Sequence, residues 1–401
     1  MPRRPPPSSR RKTRSARRDE PGRRAWKPPG WKTAVVAAAV AAAAVFTAWR
    51  ATLPARRVAH AQAAAKAGHH AEALHAWRVV NADGPARPAF LKAEARAALT
   101  LGRADEADRA LALASAADPA DPEPWRLRLE RLRVLDLPLE AQALGASASA
   151  AVPSADRRGI LRELTLALLA DLPDDLARST LSRWAGTDPE ARVALLRRFA
   201  SMPRANDPTR ADRIAELTAR LNANPGHLSA REALVSTLLD AGEPDRARSV
   251  LGAWPGPEPV RDARYWRLRG RLDLDHDHRP GPAAESFTRA LSDLPHDWKT
   301  RVRLARALHA LGRETEARAE ALAVNRSREA LDPSTLGPRL AADVARLDRP
   351  AALLDLADLC SRAGLSRLAD SWRLEAASPP LRSPSMPFNG SGETNRIYPI
   401  H

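Results

Sequence analysis

The sequence predicts an all-α chain: a solenoid of about seven to nine helical hairpins, preceded by one N-terminal transmembrane helix. Two observations carry that expectation. Gly68, the pair Glu72-Ala73 and Pro85 recur 34 residues later as Gly102, Glu106-Ala107 and Pro119. A fixed period of this size marks stacked helical hairpins rather than one globular core. The second observation is an uncharged run over residues 33–49, with Trp31 just before it and Trp49 at its end.

Residues 1–32 hold twelve basic and two acidic side chains among Pro and Ser, so most of the net charge of +16 sits there. Without an apolar period this tail cannot bury enough surface to offset the entropy of ordering, and it is expected to be disordered. As a helix, the run at 33–49 spans about 25 Å, the short end of what crosses a bilayer. Indole rings at both ends, followed by Arg50, Arg56 and Arg57, suit the two interfaces. The run reads as a signal anchor; a cleaved signal peptide, with small residues at Ala42 and Ala44, and a buried soluble helix are the alternatives. The basic excess before it predicts a cytoplasmic N-terminus, with the rest of the chain outside the cytoplasmic membrane. Only six of the 64 basic residues are Lys, and with heavy Ala and Pro use this reads as a high-GC bacterial genome.

The array is expected over residues 55–378, extended and almost purely helical. It is strongest at 55–120 and 226–333 and degenerate at 121–225. Gly68 and Gly102 stand where paired helices must turn, Ala73 and Ala107 where they approach closely, and Pro85 and Pro119 where the second helix ends. The third hairpin keeps Glu140-Ala141 and Pro153 in register, but Asp136 replaces the turn glycine and Gly145 weakens its second helix. Residues 155–225 show helical spacing without the signature glycine and alanine. The register returns with Gly242, Ala247 and Pro259. Trp266, Gly270, Ala283, Phe287, Ala290 and Pro295 are the fullest match, and Ala305, Gly312, Glu316, Ala317 and Pro333 follow. A last hairpin, 350–378, carries Gly364 and Ala369 with an apolar face that closes the array, and residues 379–401 read as a disordered tail. In these positions the chain resembles the tetratricopeptide repeat family. The layout of one N-terminal helix followed by such repeats is similar to membrane-anchored bacterial members.

Chemistry is sparse. The single cysteine, Cys360, rules out an intramolecular disulfide and any cysteine-built metal site, and amid leucines it reads as a small apolar core residue. Asp273, Asp275, His276, Asp277 and His278 are the densest group of ligand-type side chains. They fall in the turn between Trp266 and Ala283, which has one extra residue, and read as a solvated loop rather than a metal site. His69-His70 reads the same way. No phosphate loop, dinucleotide fingerprint, nucleophile elbow or zincin motif occurs, so neither an enzyme nor a cofactor is expected.

Binding is the better expectation. Arg264, Arg267 and Arg271 share one face of a first helix, and Lys299, Arg303 and Arg306 share a face of the next. The family resemblance implies that Arg267, Arg271, Lys299 and Arg303 fall near the positions that clamp C-terminal carboxylates in chaperone-binding members. The expected function is therefore a non-enzymatic, membrane-anchored scaffold or adaptor that holds an acidic or C-terminal segment of a partner protein during envelope complex assembly. The other reading is a cytoplasm-facing protein whose basic N-terminal arm binds nucleic acid or anionic lipid. That arm has only Trp26 and Trp31 for stacking bases, which disfavours nucleic acid.

Overall fold

The computed structural model describes residues 31–85, 87–200, 207–258 and 261–378. The terminal tails, apart from Trp31 and Lys32, and Pro259 lie outside the described residues. Two compact units divide after Arg56. Nineteen α-helices and no strand occur among the described residues.

Helix α1 runs from Trp31 to Lys66, well past the expected end at residue 49. The reason is local. Pro54 removes one backbone donor, but no second breaker follows until Gly68, whose φ of +78° ends the helix. The leading helix of the first hairpin is thus the last part of α1 rather than a separate element starting at 55. Its partner is α2 (His70–Ala82), followed by α3 (Pro88–Thr100) with α4 (Ala104–Ala117) and α5 (Pro122–Leu135) with α6 (Pro138–Ala151).

The close-approach alanines behave as the register requires: Ala73, Ala107 and Ala141 are fully buried. Asp136 takes over the glycine's role by adopting φ +53°, a left-handed conformation that aspartate tolerates better than most side chains. Gly145 does not interrupt α6, which runs through it. A Cβ there would stand 2.7 Å from the Leu164 side chain, so the missing side chain is what lets α7 (Ser154–Leu169) pack closely.

At α7 the array departs from simple stacking. α8 (Asp174–Trp184) and α9 (Pro189–Arg198) do not continue from it. Leu181 and Trp184 instead enter the same core as Ala107, Ala110 and Leu111 of α4. Beyond α10 (Arg210–Ala223) the regular hairpins resume: α11 (Leu228–Asp240) with α12 (Pro244–Gly252), α13 (Ala263–Arg271) with α14 (Pro280–Asp293), and α15 (Trp298–Ala310) with α16 (Glu314–Ala330). Then come α17 (Pro333–Val344) and the final pair α18 (Pro350–Arg362) and α19 (Ser366–Ala377).

The final pair does more than cap the end. It packs back on α7, so the repeat unit is closed and not the extended array the period alone predicts. One core joins Ile160, Leu161 and Leu164 to Leu353, Leu356 and Trp372. Trp372 Nε1 donates to Thr165 Oγ1 at 3.0 Å, and Thr165 Oγ1 donates to the Leu161 carbonyl at 2.7 Å. Glu375, nearly fully buried, accepts from Arg157 Nη1 at 3.5 Å and Arg158 Nε at 3.3 Å. Arg158 also donates to the carbonyls of Leu347 and Glu375. Cys360 sits beside Thr165 in this seam, and burial pushes its thiol up to about 12, as expected for a core residue.

Two measurements check this packing. Replacing Thr165 with Cys supplies a partner for the chain's only native thiol. Mild oxidation of the full chain should then remove both titratable thiols without linking two chains, whereas two surviving thiols would contradict the closure. Trp372→Ala should cost about 3–5 kcal/mol of stability, as a buried indole does. On α5, burial together with the neighbouring Glu163 raises Glu130 to about 7. A carboxyl raised in the folded state stabilises the fold fully below its unfolded value and loses that contribution as pH rises through 7. Thermal melts of Glu130→Gln should therefore match wild type near pH 4 and exceed it at pH 8.

Candidate functional site

The six basic residues singled out on α13 and α15 separate into distinct environments. Asp262 caps α13, accepting from the backbone N–H of Arg264 at 3.1 Å and of Tyr265 at 3.4 Å. Arg264, in that first turn, folds back over the cap. Its Nε and Nη2 reach Asp262 Oδ2 at 3.0 and 2.7 Å, and its Nη1 crosses to Glu140 Oε1 on α6 at 2.7 Å. It is buried and fully engaged, so it braces α13 against α6 and does not face a partner.

Arg267, one turn further on, bridges the buried carboxylate of Glu232 and the partly buried one of Asp297. It pairs with Glu232 of α11 and reaches Asp297 Oδ2 at 3.1 Å. Burial alone would raise both acids. The guanidinium of Arg267, joined by Arg197 at Glu232 and by Thr300 at Asp297, outweighs it and holds both below the usual carboxylate range. Burial alone would likewise lower Arg267, and the two carboxylates reverse that and raise it. Asp297 also caps α15, accepting from Thr300 N at 3.0 Å and Thr300 Oγ1 at 2.6 Å. One carboxylate thus starts a helix and anchors an arginine of the preceding hairpin. Arg271 is tied in a similar way, with Nη2 on Asp240 Oδ1 and Nη1 on Ser236 Oγ at 3.3 Å.

Arg303 and Arg306 are different. Their sole ion-pair partner among the described residues is Asp275, at 4.0 Å from Arg303 Nε and 3.8 Å from Arg306 Nη1. Arg271 Nε lies 3.9 Å from the same carboxylate. Burial, and next the positive charge of Arg271, push the Arg303 guanidinium below its ordinary value, so this cation sits in surroundings that under-compensate it. Lys299 is exposed and belongs elsewhere: its Nζ lies 5.8 Å from the ring centre of Trp298, whose ring Arg328 of α16 also approaches at 5.5 Å. The structure therefore brings Arg271, Arg303 and Arg306 together and leaves Arg264 and Lys299 out of the group.

The extra residue between Trp266 and Ala283 becomes a π-helical turn over Leu272–His276, closed by an Asp277 N–H to Leu272 C=O bond of 3.0 Å. It is not the solvated loop expected there. Asp273 is fully buried and accepts from Arg269 Nε at 3.0 Å and from Arg279. Gly270 lies inside α13, and a Cβ there would stand 2.7 Å from the Phe287 ring, so its role is to let α14 approach. No cluster of three or more potential metal-ligating side chains occurs among the described residues.

The sequence reading did not pair the arginines with Glu232, Asp240, Asp275 and Asp297, the carboxylates that decide how each is engaged, and it placed Asp275 in a solvated loop. Asp297 carried a usable signal, since Asp immediately before a helically periodic apolar run marks a helix start. Asp275 carried another in the extra residue of its repeat.

The family model described as the tetratricopeptide repeat matches residues 204–272, from just before α10 through α13. Over those residues the chain carries the tetratricopeptide repeat. No curated protein matches. Among solved structures, a tetratricopeptide repeat protein from Parabacteroides merdae is 13% identical, covering 64% of this chain and 98% of its own, with a TM-score of 0.30. The tetratricopeptide repeat domain of P58(IPK) is 16% identical, covering 80% of this chain and 92% of its own, with a TM-score of 0.23.

Proposed function

We propose that this tetratricopeptide repeat chain is a non-enzymatic scaffold, anchored to a membrane by α1, that holds an acidic segment of a partner protein against Arg303 and Arg306. The observation that carries the reading is the charge imbalance at Asp275, where one carboxylate faces three guanidinium groups at 3.8 to 4.0 Å, beyond hydrogen-bond reach. A partner carboxylate brought within about 2.8 Å would supply the charge-assisted bonds that Asp275 does not make. Arg267 and Arg271, which the family pattern would assign to the clamp, already hold carboxylates of this chain. They serve as the rigid wall of the site.

Helix α1 supplies the anchor. Over Val35–Lys66 it is long and apolar enough to cross a membrane, with a mean hydropathy of 1.6 in its most apolar stretch. Val36, Val40, Val45 and Phe46 are all more than half exposed, as lipid-facing side chains would be. A bacterial cytoplasmic membrane, with the repeats outside it and an envelope complex as the client, is the setting that the basic tail and the composition favour.

Two experiments test this. Full-length protein in detergent should bind a short oligoglutamate with a free terminal carboxylate. Arg303→Ala with Arg306→Ala should weaken that binding by roughly 1.5–3 kcal/mol for each desolvated hydrogen bond removed. Weaker binding in Arg267→Ala with no change in the double variant would refute the assignment. For the anchor, carbonate-washed membranes should retain wild type and release a variant with Val36 and Val40 changed to Arg. Release of wild type would rule the anchor out.

A further inference from the structure

The π-helical turn does something specific to the site. In a regular hairpin, α13 would end without the additional residue, and the segment leading to α14 would carry its side chains one position earlier. The inserted residue rotates the turn and closes it with the i to i+5 bond from Asp277 to Leu272. Turns of this kind are rare and concentrate at functional positions. The surrounding side chains hold this one firmly. Asp273 is locked by Arg269 and Arg279, and Asp277 accepts from Arg248 Nη2 at 2.7 Å and Arg279 Nη2 at 3.0 Å. Between these two anchored acids, Asp275 alone is directed at Arg271, Arg303 and Arg306, and it forms a hydrogen bond with none of them.

We infer that Asp275 is a built-in competitor for the acidic partner segment: a carboxylate of this chain that occupies the arginine site loosely and must be displaced when a partner carboxylate enters. The inference rests on the reading of Arg303 and Arg306 as the binding site. Its physical content is that Asp275 is close enough to neutralise the cations in the free protein and too far to saturate them. Coulomb attraction falls only slowly between about 2.8 and 4 Å, whereas a hydrogen bond is lost over that interval. A resident carboxylate of this kind selects against lone weak anions. It lets in a partner that brings several interactions and can meet the cost of displacing it.

The test uses the full chain in detergent and the same oligoglutamate probe. Asp275→Asn keeps the shape of the turn and removes the competing charge, and should tighten binding by about 3-fold or more, the scale expected for a partly exposed ion pair. Asp277→Asn removes an equal charge two residues away, on side chains that do not touch the site, and should leave the affinity unchanged. Matching thermal melts show that the turn is intact. Equal tightening in both variants would mean a general field effect and would overturn the inference, as would unchanged binding in Asp275→Asn while Arg303→Ala still weakens the probe. If Arg303→Ala and Arg306→Ala leave binding unchanged in both the wild-type and Asp275→Asn backgrounds, the site itself is misassigned and the proposed function fails with it.

Discussion

The docking of α19 on α7 sets the character of this molecule. A tetratricopeptide array normally owes its stability to each hairpin touching the next, so its ends are independent. Here Trp372 and Glu375 of the last helix are buried against Thr165, Arg157 and Arg158, more than 200 residues earlier in the chain. Glu375 is nearly inaccessible, and a buried carboxylate without partners would be far costlier than an exposed one. Two consecutive arginines of α7 converge on it and make its burial tolerable. Those same arginines would be under-partnered if α19 left, so the seam favours the closed form from both sides.

The rest of the array is held by arginines that reach about one repeat along. Arg178 reaches Asp207, Arg192 reaches Glu216, Arg248 reaches Asp277 and Arg267 reaches Asp297. Planar guanidinium groups suit this task, because a fork of donors on a long stem can bridge two helices and satisfy a carboxylate on each. These arginines are engaged internally. The basic character of the repeats says little about partners until each arginine has been matched to its acid. Arg303 and Arg306 differ from Arg267 and Arg271 in that their carboxylate, Asp275, lies 3.8 to 4.0 Å away and is shared with Arg271.

Much of the fold was legible in the sequence, for a physical reason. Glycine at a left-handed turn and alanine at a close helix crossing are demands of local geometry, and they recur with the period that creates them, as at Gly68 and Gly102 with Ala73 and Ala107. The closure was not legible, since the pairing of Trp372 with Thr165 recurs nowhere and leaves no periodic trace. The basic site was legible only in part. Helical spacing places Arg264, Arg267 and Arg271 on one face, but it says nothing of the carboxylates opposite, and those carboxylates separate a tightly bridged arginine from a loosely paired one. Lys299 falls outside the group for a related reason: its neighbour Trp298 offers the ammonium a ring face, which spacing alone does not reveal.

The seam and the site are connected through the turn between α14 and α15. Gly364, in the turn between α18 and α19, lies so close to the Pro295 carbonyl that a Cβ would stand 2.9 Å from that oxygen. Arg301 Nη2 donates to the same carbonyl at 3.1 Å. The next two residues are His296, which burial holds below its usual range and so keeps neutral at pH 7, and Asp297, which fixes Arg267 and starts α15. The position of α15, and with it Arg303 and Arg306, is therefore set on one side by the Arg267 bridge to α11 and on the other by the tip of the closing hairpin. A charged site in a linear array would flex with each hairpin. In this chain α15 is held on one side by the Arg267 bridge between Glu232 and Asp297 and on the other by the close approach of Gly364 to Pro295, so the closing hairpin and the arginine group share one support.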